Sequence, residues 1–203
     1  MQNPPDYSKT DTIQLGFREV LTDRRFIILY FAMFTGLAAG FAINANIKEF
    51  YQSATLMTGV TAVSFFAIAN AIGRVVWGGI FDRFNSRNVI QLNLLAQALL
   101  LFASPFIVTS PIGLQLFAAI AGFNYGGVLV IYAGSVARIW GAEKVGSIYG
   151  WLFSANIPGA IAPLFAGYFF DVTGSFIIPM YIIAAIILAA IVVLNFNRNS
   201  LVT

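Results

Sequence analysis

Arg74 is the side chain best equipped for chemistry. It stands inside "NAIGRVVWGGIFDRFNSR", residues 70–87, where an apolar, glycine-rich run ends in Asp82, Arg83 and Arg87. Its guanidinium offers five N–H donors in a planar fork that matches the two oxygens of a carboxylate. About 12 Å of helix separates it from Asp82. Asn70 lies one turn earlier and Gly78 one turn later, so the three share a helix face. A cation at such depth is costly. It either faces a bundle interior and marks a substrate path, or is held by helix-end carbonyls and a neighbouring span. The first reading makes Arg74 a carboxylate-binding residue with Asn70 beside it.

Two further groups carry polar chemistry. Tyr149, Phe153 and Asn156 recur at helical spacing in "YGWLFSAN", residues 149–156. Asn156 can face a substrate, or it can make an ordinary interhelical hydrogen bond of about 1 kcal/mol. The stretch "GGIFDRFNSR", from Gly78 to Arg87, joins a glycine-rich helix end to an acid and two bases. There Asp82 can accept from neighbouring helix N-termini or arginines and hold two elements in one state. Tyr125, Tyr132 and Trp151 are explained equally well as interfacial aromatics.

The chain has no histidine and no cysteine, which removes the commonest general base and metal ligand and any thiolate site. No catalytic residue, metal or cofactor is expected, and the protein reads as a non-enzyme. Only 9% of the residues are charged and 59% are hydrophobic, with a mean hydropathy of +0.83. Soluble domains carry about 25% charge, so the solvent for this fold is lipid. The basic excess, 11 Lys and Arg against 8 Asp and Glu, sits between apolar runs and does not indicate nucleic acid.

Uncharged stretches run from Phe26 to Ile47, Phe50 to Gly73, Asn88 to Ala137, Val145 to Phe170 and Val172 to Asn197. A span needs about 20 apolar residues, and "VTSP" at 108–111 divides the longest stretch, because helix is disfavoured before proline. Six spans follow, near 26–47, 56–80, 89–108, 112–134, 147–170 and 176–196. Together they form one unit over 26–197, followed by a short tail at 198–203. Basic residues fall in the termini and the even-numbered loops, while the odd-numbered loops hold Lys48 alone. The positive-inside rule therefore places both termini in the cytoplasm.

Ahead of the spans, residues 1–12 read as a polar linker. Ile13, Phe17, Val20 and Leu21 then mark either an amphipathic surface helix or an extension of the first span. Residues 1–25 are thus expected to be a cytoplasmic linker and surface helix. Arg138, Glu143 and Lys144 read as a solvated loop. Pro158 and Pro163 interrupt the fifth span, as happens where helices line a transport cavity.

"GGIFDRFNSR" resembles the loop signature of the major facilitator superfamily, with Asn85 where glycine is usual and Ser86 where a base is usual. "NPPDY", "NAIGRVVWG", "NYGG", "GAEKVGSIYGWLFSAN" and "PLFAGYFFDVTGSF" resemble, in order and spacing, the carboxyl-terminal half of the oxalate:formate antiporter family, which is related to monocarboxylate transporters. The resemblance implies an all-α membrane protein, one bundle of two inverted three-helix repeats. It also implies that Arg74 binds substrate carboxylate, that Gly78, Asp82, Arg83 and Arg87 gate, and that an amino-terminal six-span half is the partner. That family often carries a lysine where Asn156 stands, so a monoanion such as formate, lactate or pyruvate is expected ahead of oxalate. No acid lies within any expected span, which tilts the reading from proton symport toward antiport. Transport of a small carboxylate by alternating access across a bacterial inner membrane is the resulting expectation. A non-transporting scaffold or sensor and a channel are the alternatives. A six-span chain encloses one wall of a cavity, so it is expected to be half of a longer transporter.

Overall fold

The computed structural model describes residues 16–197, which contain helices and no strands. The linker at 1–12, Ile13 and the tail at 198–203 lie outside them. A short helix α1 (Phe17–Thr22) is followed by α2 (Arg24–Ala45), α3 (Leu56–Arg83), α4 (Ser86–Ile107) and α5 (Pro111–Trp140). A 3-10 turn (Ala142–Lys144) then leads into α6 (Val145–Phe153), α7 (Asn156–Gly159) and α8 (Ala162–Thr173), and α9 (Ile177–Phe196) closes the bundle. Six segments are long and apolar enough to cross a membrane, with α6, α7 and α8 together forming the fifth.

Local chemistry explains where these helices begin. Thr55, Asn85 and Ser110 sit in extended backbone and accept from the first-turn amides of α3, α4 and α5. Asp23, also extended, accepts from the Arg25 amide and separates α1 from α2, so the chain does not run as one helix from residue 17 into the first span. In the fifth span, Pro158 and Pro163 lack the N–H that would bond the preceding turn, and the helix breaks at 154–155 and 160–161. Asn46 of the α2 end donates to the Pro163 carbonyl at 3.4 Å and spans this break.

Lipid provides no hydrophobic drive between helices, so close backbone packing has to supply the attraction. The α3–α5 pair does this through glycine. A Cβ on Gly73 would collide with the Phe123 backbone, one on Gly122 with Phe66, and one on Gly126 with Asn70. Helix α2 packs against α5, α8 and α9, and α4 against α5 and α9. In consequence, 72% of the apolar window of α2 is buried but only 22% of those of α3 and of the broken span. Val60, Ile68, Ile72 and Val75 on α3, and Ile157, Leu164 and Tyr168 on the broken span, stand uncovered.

At the cytoplasmic corner expected from the charge pattern, Arg25 forms a 2.7 Å ion pair with Asp23 and lies 5.2 Å from the centre of the Trp140 ring. Burial alone would raise the Asp23 pKa, but hydrogen bonds from the Arg25 side chain and backbone, the Arg25 charge and a hydrogen bond from Trp140 outweigh it, leaving the carboxyl below its usual value. A depressed carboxylate stabilises the fold above its unfolded pKa, and that contribution disappears as pH falls through the folded value. Wild type should therefore lose Tm relative to Asp23→Asn as acid is added below about pH 4, and the two curves should run parallel between pH 6 and 8. The glycine packing makes a second prediction. Gly126→Ala should destabilise by about 1–3 kcal/mol, whereas Gly79→Ala, with open space around its Cβ, should be neutral or gain up to about 1 kcal/mol. Thermal unfolding in detergent checks both.

Candidate functional site

Arg74 projects from α3 immediately after Gly73, where that helix touches α5 most closely, and its side chain is exposed. It makes no hydrogen bond or ion pair with any described residue. A groove of about 620 Å³ runs from it toward the charged loop, between Gly78 and Asp82 of α3 and Leu129, Gly134 and Arg138 of α5. The Arg74 charge acts on Tyr125 of α5 and Tyr149 of α6. Tyr149 donates its hydroxyl to the Leu129 carbonyl at 3.1 Å, which ties α6 to the wall of the same groove. Tyr125 is held by the Phe41 and Phe66 rings, 5.9 and 5.8 Å away between centroids. The structure thus sets a guanidinium with no partner among the described residues on the lining of this groove, with Tyr149 tied to its Leu129 wall. A guanidinium so placed can bind a planar anion through charge-assisted hydrogen bonds.

The other residues singled out by spacing are placed differently. Asn70 turns its Oδ1 toward α5, 2.9 Å from where a Cβ on Gly126 would stand, and that buried oxygen has no hydrogen-bond partner. Gly78 lies on the groove floor, its own Cβ position 3.4 Å from Val130. Asn156 donates from Nδ2 to the Phe153 carbonyl at 2.6 Å, inside its own segment. The break after Phe153 leaves Tyr149 against Phe153, at 5.9 Å between ring centres with the rings tilted, and starts a separate helix at Asn156. Among the described residues no contact links Asn156 to Arg74.

In the loop, Asp82 and Arg83 are exposed and form no ion pair within 4.0 Å among the described residues. Arg87 donates to the Leu194 carbonyl at 3.2 Å and to Asn195 Oδ1 at 2.6 Å, fastening α4 to the end of α9. Asn85, which stands where the resembling loop has glycine, has φ −65° and ψ 135° and serves as the N-cap of α4.

Arg138 is the residue that sequence reasoning undervalued. It lies in the last turn of α5, not in a solvated loop. Its guanidinium donates to the Phe84 carbonyl at 2.7 Å, the Phe81 carbonyl and Ser86 Oγ, and lies 3.9 Å from the Phe81 ring centre. It therefore satisfies the orphan carbonyls at the end of α3. The available signal was Gly134, one turn earlier, the glycine over which Phe81 packs.

Residues 26–200 match the Major Facilitator Superfamily. The MFS-type transporter YcxA of Bacillus subtilis, itself uncharacterised, is 28% identical over 191 residues, which cover 88% of this chain and 46% of that protein. The MFS-type transporter YhjX of Escherichia coli, also uncharacterised, is 30% identical over 128 residues, 59% of this chain and 30% of its own. Apicoplast pyruvate carrier 1 of Toxoplasma gondii is 25% identical over 122 residues, 59% of this chain and 22% of the carrier. The matched region spans less than half the length of each of these relatives.

Arg138→Gln should lower stability by about 1–3 kcal/mol, because charge-assisted bonds to helix-end carbonyls are lost. Arg83→Gln should stay within about 0.5 kcal/mol of wild type. Thermal melts of the two purified variants decide this.

Proposed function

The chain belongs to the Major Facilitator Superfamily and is an integral, multi-pass membrane protein; from that premise we propose that it forms one six-helix half of a secondary transporter for a small carboxylate. The observation that carries the reading is Arg74. A guanidinium without a partner among the described residues, inside an apolar span and within electrostatic reach of two tyrosines, is costly unless it serves an anion. The uncovered flanks of α3 and of the broken span support the rest, since they leave room for a second bundle to complete the cavity. Substrate would bind between the two bundles near the midplane, its carboxylate on Arg74 with Tyr149 alongside, and rocking of the bundles would expose it to either side.

The oxalate:formate antiporter resemblance supports a carboxylate, and the name of the apicoplast pyruvate carrier agrees with a monocarboxylate. Arg74 is the one cation within the spans expected from the sequence apart from those at their ends, which suits a single negative charge, so formate, lactate or pyruvate is the preferred class ahead of oxalate. No aspartate or glutamate lies within the spans expected near 26–47, 56–80, 89–108, 112–134, 147–170 and 176–196, so exchange of one anion for another needs nothing further from this half, whereas proton symport would need a carboxylate in the other. The bacterial inner membrane with both termini cytoplasmic is the orientation we assign. The Asp82–Arg83–Arg87 loop would then act as a cytoplasmic gate, with no enzymatic step.

The test is uptake of labelled formate, lactate, pyruvate and oxalate by the full-length transporter in liposomes. Saturable uptake of one of them should fall by at least about 100-fold in Arg74→Ala, the loss of a charged partner being worth about 3 kcal/mol or more. Arg74→Lys should retain part of it with a raised KM. Unchanged uptake in Arg74→Ala refutes the site, uptake of no carboxylate favours a scaffold or sensor, and non-saturating flux favours a channel.

A further inference from the structure

We propose that Asn93 is a positioning residue for Arg74, gripping the Asn124 carbonyl on α5 directly and the Trp77 indole N–H on α3 through one bound water. The proposal rests on Arg74 as the anion-binding residue for its functional meaning, but its structural content stands apart from that reading.

Asn93 is 1% exposed and Trp77 is 4% exposed, so neither polar group reaches solvent or lipid headgroups. Asn93 Nδ2 donates to the Asn124 carbonyl at 2.9 Å, which fixes the orientation of the amide. That leaves Asn93 Oδ1 as a buried acceptor and Trp77 Nε1 as a buried donor, each without a partner. Both side chains converge on one point. A Cβ on Gly127 would lie 2.6 Å from Trp77 Cδ1 and 3.0 Å from Asn93 Nδ2, so the two share the space this glycine leaves open. An orphan donor and an orphan acceptor beside the same glycine, not bonded to each other, are complementary to one water that accepts from the indole and donates to the amide oxygen.

The consequence concerns α3. Trp77 lies three residues beyond Arg74, close to one turn, and its ring centre is 6.1 Å from that of Phe123. The glycine contacts bring α3 close to α5, but small residues alone leave a helix free to rotate or slide about its axis. A directional bond to a side chain on a third helix removes that freedom and sets where Arg74 points. Gln97, one turn along α4, is also buried with both amide atoms unpaired. It borders a separate small void beside Gly40 and Ala121, so it serves as the control.

The test uses the full-length transporter and ultraviolet resonance Raman difference spectra, wild type minus Trp77→Phe, which isolate the Trp77 indole. The band that reports indole N–H hydrogen bonding should sit at its bonded position in wild type, in Gln97→Leu and in Asn93→Asp, which keeps a carbonyl oxygen in place. It should move to the unbonded position in Asn93→Leu, or in the smaller Asn93→Ala if the leucine variant does not accumulate. The Asn93→Leu/Trp77→Phe double variant should melt no lower than Asn93→Leu, since the stranded donor is gone. If the same full-length protein transports a carboxylate, Asn93→Leu should raise KM at least fivefold with kcat little changed. An unbonded indole in wild type, or a bonded one in Asn93→Leu and Asn93→Ala, overturns the proposal. Absence of any carboxylate transport removes the functional reading of Arg74 and leaves the spectroscopic result to decide the bond.

Discussion

The approach of α3 to α5 is the contact on which the rest of the molecule depends. Gly73, Gly122 and Gly126 each stand where a single methyl group would strike the backbone of the facing helix. In lipid, where apolar surfaces gain nothing from meeting each other, such closeness is what gives dispersion and weak hydrogen bonds enough strength to hold a pair. The seam is narrow. It engages one stripe of α3 and leaves the remainder of that helix uncovered, with Arg74 directly beside the tightest point. An arginine whose helix is committed so closely on one side can only be directed to the open side.

The charged end of the bundle is held by a different kind of force. Arg138 caps the carbonyls of α3, Arg87 caps the end of α9, and Asp23, Arg25 and Trp140 close the corner between α2 and α5. Two of these ties meet at the last turn of α5, Arg138 and Trp140, so that turn joins the start of α2 to the α3–α4 loop. Asp82 and Arg83 take no part in these bonds. They remain available on the exposed side of the loop, where a second bundle would meet them in the transporter we propose. The split is physically sensible, because the charges that knit the bundle are partly buried and the charges that could switch are solvated.

Much of the architecture was legible in the sequence because lipid forbids charge. The gaps between charged residues, with the break at 108–111 before Pro111, mark the six apolar segments, and the loop from Gly78 to Arg87 identifies the superfamily. Pro158 and Pro163 announce an interrupted span, but not its consequence, which is that Tyr149 and Asn156 belong to separate helices. Arg138 was misread for a related reason. A charge at the edge of an apolar run looks like the start of a loop, whereas its partners are carbonyls more than fifty residues away in sequence. Asn93 and Trp77 gave no signal at all. A polar residue inside an apolar run acquires meaning only when the fold shows what stands opposite it.

In the transporter we propose, Arg74 faces an aqueous path and binds a carboxylate there. Phenylglyoxal labelling of Arg74 in membrane vesicles, followed by peptide mass spectrometry with and without a panel of small carboxylates, tests it most directly. Arg74 should be labelled, and at least one monocarboxylate should slow the reaction while chloride at equal ionic strength does not. An Arg74 that resists labelling, or is labelled at one rate whatever carboxylate is present, would contradict it.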